Sequence, residues 1–271
     1  MDVSRDWLRR YLDLLEVERA RPSAAALARL TRAQVLRVTF ENVTSLLRHD
    51  AHRGEPMPPL DPEELLDGWE RRRGGGVCFE VTEMLGRLLG ALGYRVHPVV
   101  ATISFPGSHQ ALVAELDGAR LLVDAGNGAP FLEPIPLDRV VEVRRAGLAY
   151  RFRPAAGECV QERLVDGAWA PFCRYALRPA TAEERDHAFR HHHTAGVSWV
   201  LGSVTLIGCA EDEVVLLRDR ELTRFTPGGK RSEPVSGDAE YARLAAEAFG
   251  LPGLPIAEGV RAWRRNVAPE R

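Results

Sequence analysis

Cys78 follows Gly74-Gly75-Gly76-Val77 and heads a run whose apolar residues, Val81, Met84, Leu85, Leu88, Leu89 and Leu92, recur at intervals of three and four. That period predicts a helix with one buried face, and it places the thiol in the first turn. There, unpaired backbone N–H groups and the positive end of the helix dipole favour the thiolate, the nucleophilic form of the side chain. The glycines let the backbone bend sharply into the helix and come close to a ligand. A lone cysteine at a helix start is more often an inert, half-buried residue. A base and an orienting group must decide between the two.

His109 and Asp124 supply both. His109 opens the apolar run Gln110-Ala111-Leu112-Val113-Ala114-Glu115, and Asp124 closes Arg120-Leu121-Leu122-Val123. Between the runs lies Asp117-Gly118, a hairpin turn signal. If the two runs pair about that turn, the start of one strand lies beside the end of the other, and the imidazole meets the carboxylate. A carboxylate on one ring nitrogen fixes the tautomer and leaves the other nitrogen free to take a thiol proton. Taken singly, His109 reads as a turn residue and Asp124 as a strand-end turn former. Together with Cys78 they read as nucleophile, base and orienter.

The elements that must position these groups follow from the pattern. Trp7, Tyr11, Leu12 and Leu15 share a helical face, Pro22-Ser23 caps a helix from Ala24 to about Arg32, and Phe40-Glu41-Asn42-Val43 lies on a third, helical segment. A proline-rich loop, 55–62, leads into a helix starting at Asp61-Pro62-Glu63-Glu64. After Gly93 the texture changes to period two with β-branched residues, and short strands follow around 94–104, 110–115, 120–124, 140–145, 150–153, 159–165 and 172–176. A polar helix over 179–194 precedes strands near 204–207, 214–217 and 221–225. An amphipathic helix, 238–249, ends the pattern at Gly250 and Pro252.

With 271 residues and 45% apolar content the chain can bury a sizeable core. Its 36 basic and 38 acidic side chains nearly cancel, so nothing global points to a nucleic acid or a membrane as partner. Cys78, Cys159, Cys173 and Cys209 are too widely spaced for a zinc or redox motif and read as reduced thiols of a cytoplasmic protein. No basic-then-apolar leader pattern opens the sequence, and no apolar run approaches the length of a membrane span. His191-His192-His193 has no cysteine or carboxylate at ligand spacing, so no metal site is expected and the three read as an exposed helical face.

Four motifs carry a resemblance: Phe40-Glu41-Asn42, Arg73 through Glu80, Ser108-His109-Gln110-Ala111-Leu112-Val113, and Val123-Asp124-Ala125-Gly126-Asn127-Gly128. In order and separation they resemble the arylamine N-acetyltransferase family. The resemblance implies an α+β protein with a cysteine-peptidase-like core in three domains. These are a helical bundle, 1–93, carrying the cysteine, an antiparallel β-barrel-like domain, 94–195, carrying histidine and aspartate, and an α/β lid, 196–271. It implies ping-pong transfer of acetyl from acetyl-CoA, a cosubstrate rather than a tightly bound cofactor, through an acetyl-cysteine to an arylamine, arylhydrazine or N-hydroxyarylamine. Cys78, His109 and Asp124 would be the catalytic residues. The backbone N–H of Cys78, with one near Ile103 or Ser104, would face the oxyanion. Gly126, Asn127 and Gly128 would lie along the CoA, and Glu41 with Arg73 would form a buried charge pair bracing the active-site loop beside Phe40. The protein would be a monomer or a homo-oligomer.

Departures from the family pattern are Thr82 for asparagine, Gly74 for arginine, and Val77 and Asn127 for aromatic residues, the last of which would line the acceptor pocket. Trp199 and Phe225, on the expected lid, are candidates to cap the cleft. The same triad would also serve an amide synthase forming macrolactams or a thiol hydrolase, and a catalytically idle homologue that only binds CoA would keep the fold without the chemistry.

Overall fold

The computed structural model describes residues 4–55 and 57–267; Pro56 of the proline-rich loop lies outside them. Helices come first: α1 (Arg5–Leu15) and α2 (Ala24–Arg37), then the two-residue strand β1 (Phe40–Glu41), followed by α3 (Val43–Ala51), α4 (Pro62–Glu70) and α5 (Cys78–Ala91). Eight strands follow as β2 (Arg95–Thr102), β3 (His109–Leu116), β4 (Ala119–Val123), β5 (Ile135–Pro136), β6 (Val141–Arg145), β7 (Leu148–Ala155), β8 (Glu158–Val165) and β9 (Ala168–Ala176). The remainder is α6 (Ala182–His192), α7 (Trp199–Gly202), β10 (Thr205–Cys209), β11 (Val214–Arg218), β12 (Glu221–Thr226), β13 (Gly229–Pro234), α8 (Asp238–Glu247) and α9 (Ile256–Val267).

Side-chain placement explains the helices. Trp7, Tyr11, Leu12 and Leu15 are all buried on α1, whose first turn is capped by the Ser4 hydroxyl accepting from Trp7 N–H. Asp61 caps α4 in the same way, with proline in the first turn. On α5 the predicted stripe of Val81, Met84, Leu85, Leu88 and Leu89 is buried against α1, α2 and α4, and its far side meets Leu112 and Ala114 of β3. Helix α2 runs on to Arg37 rather than stopping near Arg32, because nothing in Ala33-Gln34-Val35-Leu36 breaks it and Gln34 and Val35 are buried.

The long sheet is antiparallel, ordered β5-β4-β3-β2-β9-β8-β7-β6, and curls into a nearly closed barrel. Its interior holds Ala111 and Val113 of β3, Leu122 of β4, Phe152 of β7, Cys159 of β8, and Cys173 and Tyr175 of β9. Asp117 and Gly118 both take positive φ, the backbone a two-residue hairpin turn requires, and Leu112 pairs with Val123 as the pattern predicts. Alternation at period two then settles the facing of the site residues: His109 follows Ala111 and Val113, and Asp124 follows Leu122, onto the barrel interior.

The second sheet, β1-β10-β11-β12-β13, contains the main departure from the sequence reading. Phe40 and Glu41 are not helical; they form an edge strand paired with Ile207 and Leu206. Pairing over that sequence distance leaves no local signature. Strand β13 and helix α9 were not anticipated either. Gly229–Pro234 is exposed throughout and carries no apolar alternation, whereas Ile256–Val267 is a strongly amphipathic helix lying beyond Gly250 and Pro252, which read as a terminus. No helix among the described residues is long and apolar enough to cross a membrane.

Candidate active site

Cys78 opens α5 and is almost fully buried. The preceding glycines are packed closely against the chain's own Thr39 and Glu80. A Cβ on Gly75 would lie 1.7 Å from the carbonyl oxygen of Thr39, and one on Gly76 would lie 2.6 Å from Glu80 Cβ. Glu41 N–H donates to Gly76 O at 3.1 Å, and Gly75 N–H donates to Glu41 Oε1 at 3.0 Å. The glycine loop is thus stitched to β1 along its length. Burial raises the pKa of Glu41 above its ordinary value, opposed by hydrogen bonds from Thr44 and Gly75.

The expected Glu41–Arg73 pair does not form. Arg73 is exposed, and the Glu41 carboxylate accepts from Thr44 N–H at 3.0 Å, from the Thr44 hydroxyl at 2.7 Å and from Gly75. The arginine turn is held elsewhere: Gly253 N–H donates to Arg72 O at 3.1 Å, and Arg72 sits at positive φ. The buried charge pair of the site is Glu80 with Arg48, at 2.8 Å. Glu80 also reaches back to accept Val77 N–H at 3.1 Å, capping α5 at the residue before the cysteine. Arg48→Met would strand a carboxylate with no exposed surface, beside Glu41. It should lower stability by about 3 kcal/mol or more in denaturant titrations, and adding Glu80→Gln should restore much of the loss.

His109 is buried with its Nε2 2.9 Å from Asp124 Oδ2. Because a carboxylate only accepts, Nε2 carries the proton and Nδ1 is the basic nitrogen. Cys78 lies close enough to the same ring to raise its pKa. Burial disfavours a charged ring, but Asp124 and Cys78 together outweigh it and push His109 up to about 10. The imidazole is therefore bonded to the carboxylate, as the hairpin argument requires, with Cys78 as a second neighbour that favours its charged form.

Asp124 Oδ2 accepts two further donors, the Tyr175 hydroxyl at 2.7 Å and Asn127 Nδ2 at 3.0 Å, and Gln161 Oε1 lies 2.7 Å from the Tyr175 oxygen. Tyr175 and Gln161 were not foreseen. They come from β9 and β8, and only the barrel's pairing, in which His109 and Tyr175 both oppose Ala101 on β2, brings them to the His109–Asp124 pair. Asn127, which stands where the family pattern has an aromatic residue, is a partner of the carboxylate. Gly126 packs on Cys78: its Cβ would lie 2.8 Å from Cys78 Cα. Gly128, at positive φ, lies against Ile207. Intramolecular packing accounts for both glycines. Thr82 donates to Gln110 O at 3.0 Å and so still joins α5 to β3.

Two expectations around the site change. The N–H groups of Ile103 and Ser104 donate to the Ser108 hydroxyl, at 2.8 and 3.1 Å, and are not directed to an oxyanion. His192 and His193 are buried, not exposed. Among the described residues no group of His, Cys, Asp or Glu is arranged to hold a metal. Around Cys78 the lining is apolar and aromatic: Phe40, Val77, Phe79, Phe189 and Val200, with Trp199 stacked on Phe40 at 6.1 Å. Phe225 is not among the residues packed round Cys78; it lies beneath Lys230 on β12. A cavity of about 720 Å³ against α5 and β2 is lined by Arg5, Thr82, Glu83, Arg87 and Arg185, and Cys78 does not line it.

The sequence model of a family described as N-acetyltransferase matches residues 23–254. An arylamine N-acetyltransferase of Mycobacterium tuberculosis is 25% identical over 249 residues, which span 88% of this chain and 86% of that protein. The solved arylamine N-acetyltransferase from Mycobacterium abscessus superimposes with a TM-score of 0.83 at 21% identity over the whole of both chains. The enzyme of Mycobacterium marinum in complex with CoA does so with a TM-score of 0.80 at 23% identity, over 96% of this chain and 97% of that one. By class this protein is an acyltransferase. The chain belongs to the arylamine N-acetyltransferase family.

Proposed function

We propose that the protein transfers an acetyl group from acetyl-CoA, through a thioester on Cys78, to an arylamine, arylhydrazine or N-hydroxyarylamine. The observation that carries this reading is the 2.9 Å bond between the buried His109 ring and the Asp124 carboxylate, with Cys78 close enough to raise the pKa of the same ring. In the first half-reaction the thiol proton rests on His109 Nδ1, and the sulfur attacks the thioester carbonyl as the thiolate. The tetrahedral intermediate then collapses with loss of the CoA thiolate, which leaves with the proton from His109. In the second half-reaction the amine attacks the acetyl-cysteine, His109 takes the ammonium proton, and the proton returns to sulfur as the amide departs. Asp124 holds the ring and stabilises the imidazolium between steps.

A thioester intermediate preserves the activation of the donor, so a weakly basic aromatic amine can still attack it. The Cys78 N–H, in the first turn of α5, would face the developing oxyanion. The loop 125–129 borders the nucleophile, and the pantetheine arm of CoA would have to run past it to deliver its thioester. The M. marinum relative was solved with CoA, which supports that choice of donor. The aromatic lining of Phe40, Phe79, Phe189 and Trp199 suits a planar acceptor.

Mass spectrometry after brief exposure to acetyl-CoA without acceptor tests the reading. A covalent intermediate adds about 42 Da to Cys78, one acetyl in place of hydrogen, and the adduct disappears on adding an arylamine. An unmodified Cys78 under these conditions would overturn acetyl transfer, and an adduct stable to amines would overturn the acceptor.

A further inference from the structure

His192, the last residue of α6, touches the neighbours of two site residues at once. Its Nε2 lies 3.0 Å from the carbonyl oxygen of Ser108, the residue before His109, and its ring packs edge-on against Phe79, the residue after Cys78, at 5.2 Å. Because a carbonyl oxygen only accepts, Nε2 is the protonated nitrogen. Nδ1 is then an acceptor, and the Ser198 hydroxyl donates to it at 2.6 Å while accepting Val200 N–H at 3.2 Å. Every hydrogen-bonding position of this chain of groups is assigned without conflict. It runs from the first turn of α7, through a buried ring, to the turn that launches the proposed base.

The same turn is tied on its other side. The Ser108 hydroxyl accepts from Ile103 and Ser104 N–H, so Ser108 is held by its side chain to the end of β2 and by its carbonyl to α6. Phe105 lies over His192 at 4.9 Å and closes the ring off from water. Burial holds the pKa of His192 down at about 4; the Ser108 carbonyl opposes this, and His193, His191 and His109 add to it. The ring therefore stays neutral where a cation would break the bond from Ser198.

We propose that neutral His192 is a positioning residue that sets the His109 ring against the Cys78 sulfur, and that it makes this alignment depend on the seating of α7, whose Trp199 stacks on Phe40 beside the thiol. The role rests on the acetyl-cysteine reading above and names the residue outside the three that fixes their geometry. It predicts an effect on the chemical step, not on donor binding.

The test compares wild type with His192→Phe, which keeps the ring packing and loses both hydrogen bonds, and His192→Gln, whose amide can donate to Ser108 and accept from Ser198. His192→Phe is expected to lower kcat about ten- to a hundredfold, the scale of misplacing a reacting group by about 1 Å. KM for the acyl donor should hold within about twofold, because the bonds of this bridge align the reacting groups within the protein. The rise of Cys78 alkylation by iodoacetamide should move to higher pH in His192→Phe, and His192→Gln should recover most of both effects. Ser198→Ala, a smaller change that frees Nδ1, should shift the alkylation profile in the same direction and stands in if His192→Phe does not fold. Wild-type turnover and alkylation profiles in His192→Phe or Ser198→Ala would overturn the positioning role, and so would a His192→Gln no better than His192→Phe. Wild type that is never acetylated on Cys78 would overturn the underlying reading instead.

Discussion

Cys78→Ala should retain the fold and lose acetyl transfer to below about one per cent of wild type, since removing a nucleophile costs several orders of magnitude in rate. The substitution removes one sulfur from the start of α5, and the Glu80 cap on Val77 N–H and the stitching of the glycine loop to β1 do not involve the side chain. Helical and strand signals and the thermal midpoint should therefore stay close to wild type. No other thiol can substitute. Burial pushes Cys159 and Cys209 up to about 12 and raises Cys173 as well, and none of the three heads a helix. Residual turnover of several per cent, or an acetyl adduct on another cysteine, would remove the basis for covalent transfer through Cys78.

Asp124→Asn should fold and lose turnover by about three to four orders of magnitude, as the loss of the orienting carboxylate does in serine triads. Sequence reasoning attributes such a loss to the wrong histidine tautomer. The structure gives a different reason. Oδ2 accepts His109, Tyr175 and Asn127, while Oδ1 has no hydrogen-bond partner among the described residues. An asparagine can turn its carbonyl oxygen to the three donors and place its NH2 where Oδ1 was, so the geometry and the tautomer survive. What disappears is the negative charge, and burial then favours the neutral ring.

The pH dependence has a definite sign. The folded-state pKa of His109 is raised to about 10, against about 6.5 for an unperturbed histidine. Its contribution to stability is complete below about 6.5 and is lost as pH rises through about 10. Wild type should lose stability across that window, and Asp124→Asn should lose less, as read from urea midpoints at both ends. Wild-type turnover in Asp124→Asn, or an identical pH dependence of stability, would count against an imidazolium sustained by Asp124.

Much of this was legible in the chain itself. The apolar period after Cys78 located α5 and put the thiol at its head, and Asp117-Gly118 fixed the β3–β4 hairpin and with it the meeting of His109 and Asp124. Those are local features. Helical and strand periods act over a few residues, and a two-residue turn sets its own register.

The tertiary structure alone decided what surrounds them. Tyr175 and Gln161 reach the carboxylate because β9 pairs with β2 and β8 with β9, and Phe40-Glu41 becomes a strand because β10 returns to it from much later in the chain. Arg73 is left in solvent while Arg48 takes the buried carboxylate of Glu80, and His192, on a helix polar enough to read as exposed, is drawn under Phe105 to hold Ser108. Each of these pairings joins residues far apart in sequence. A side chain's type says what bond it can make, but which partner it finds is set by burial and by the order in which strands and helices stack, and neither leaves a periodic trace in the sequence.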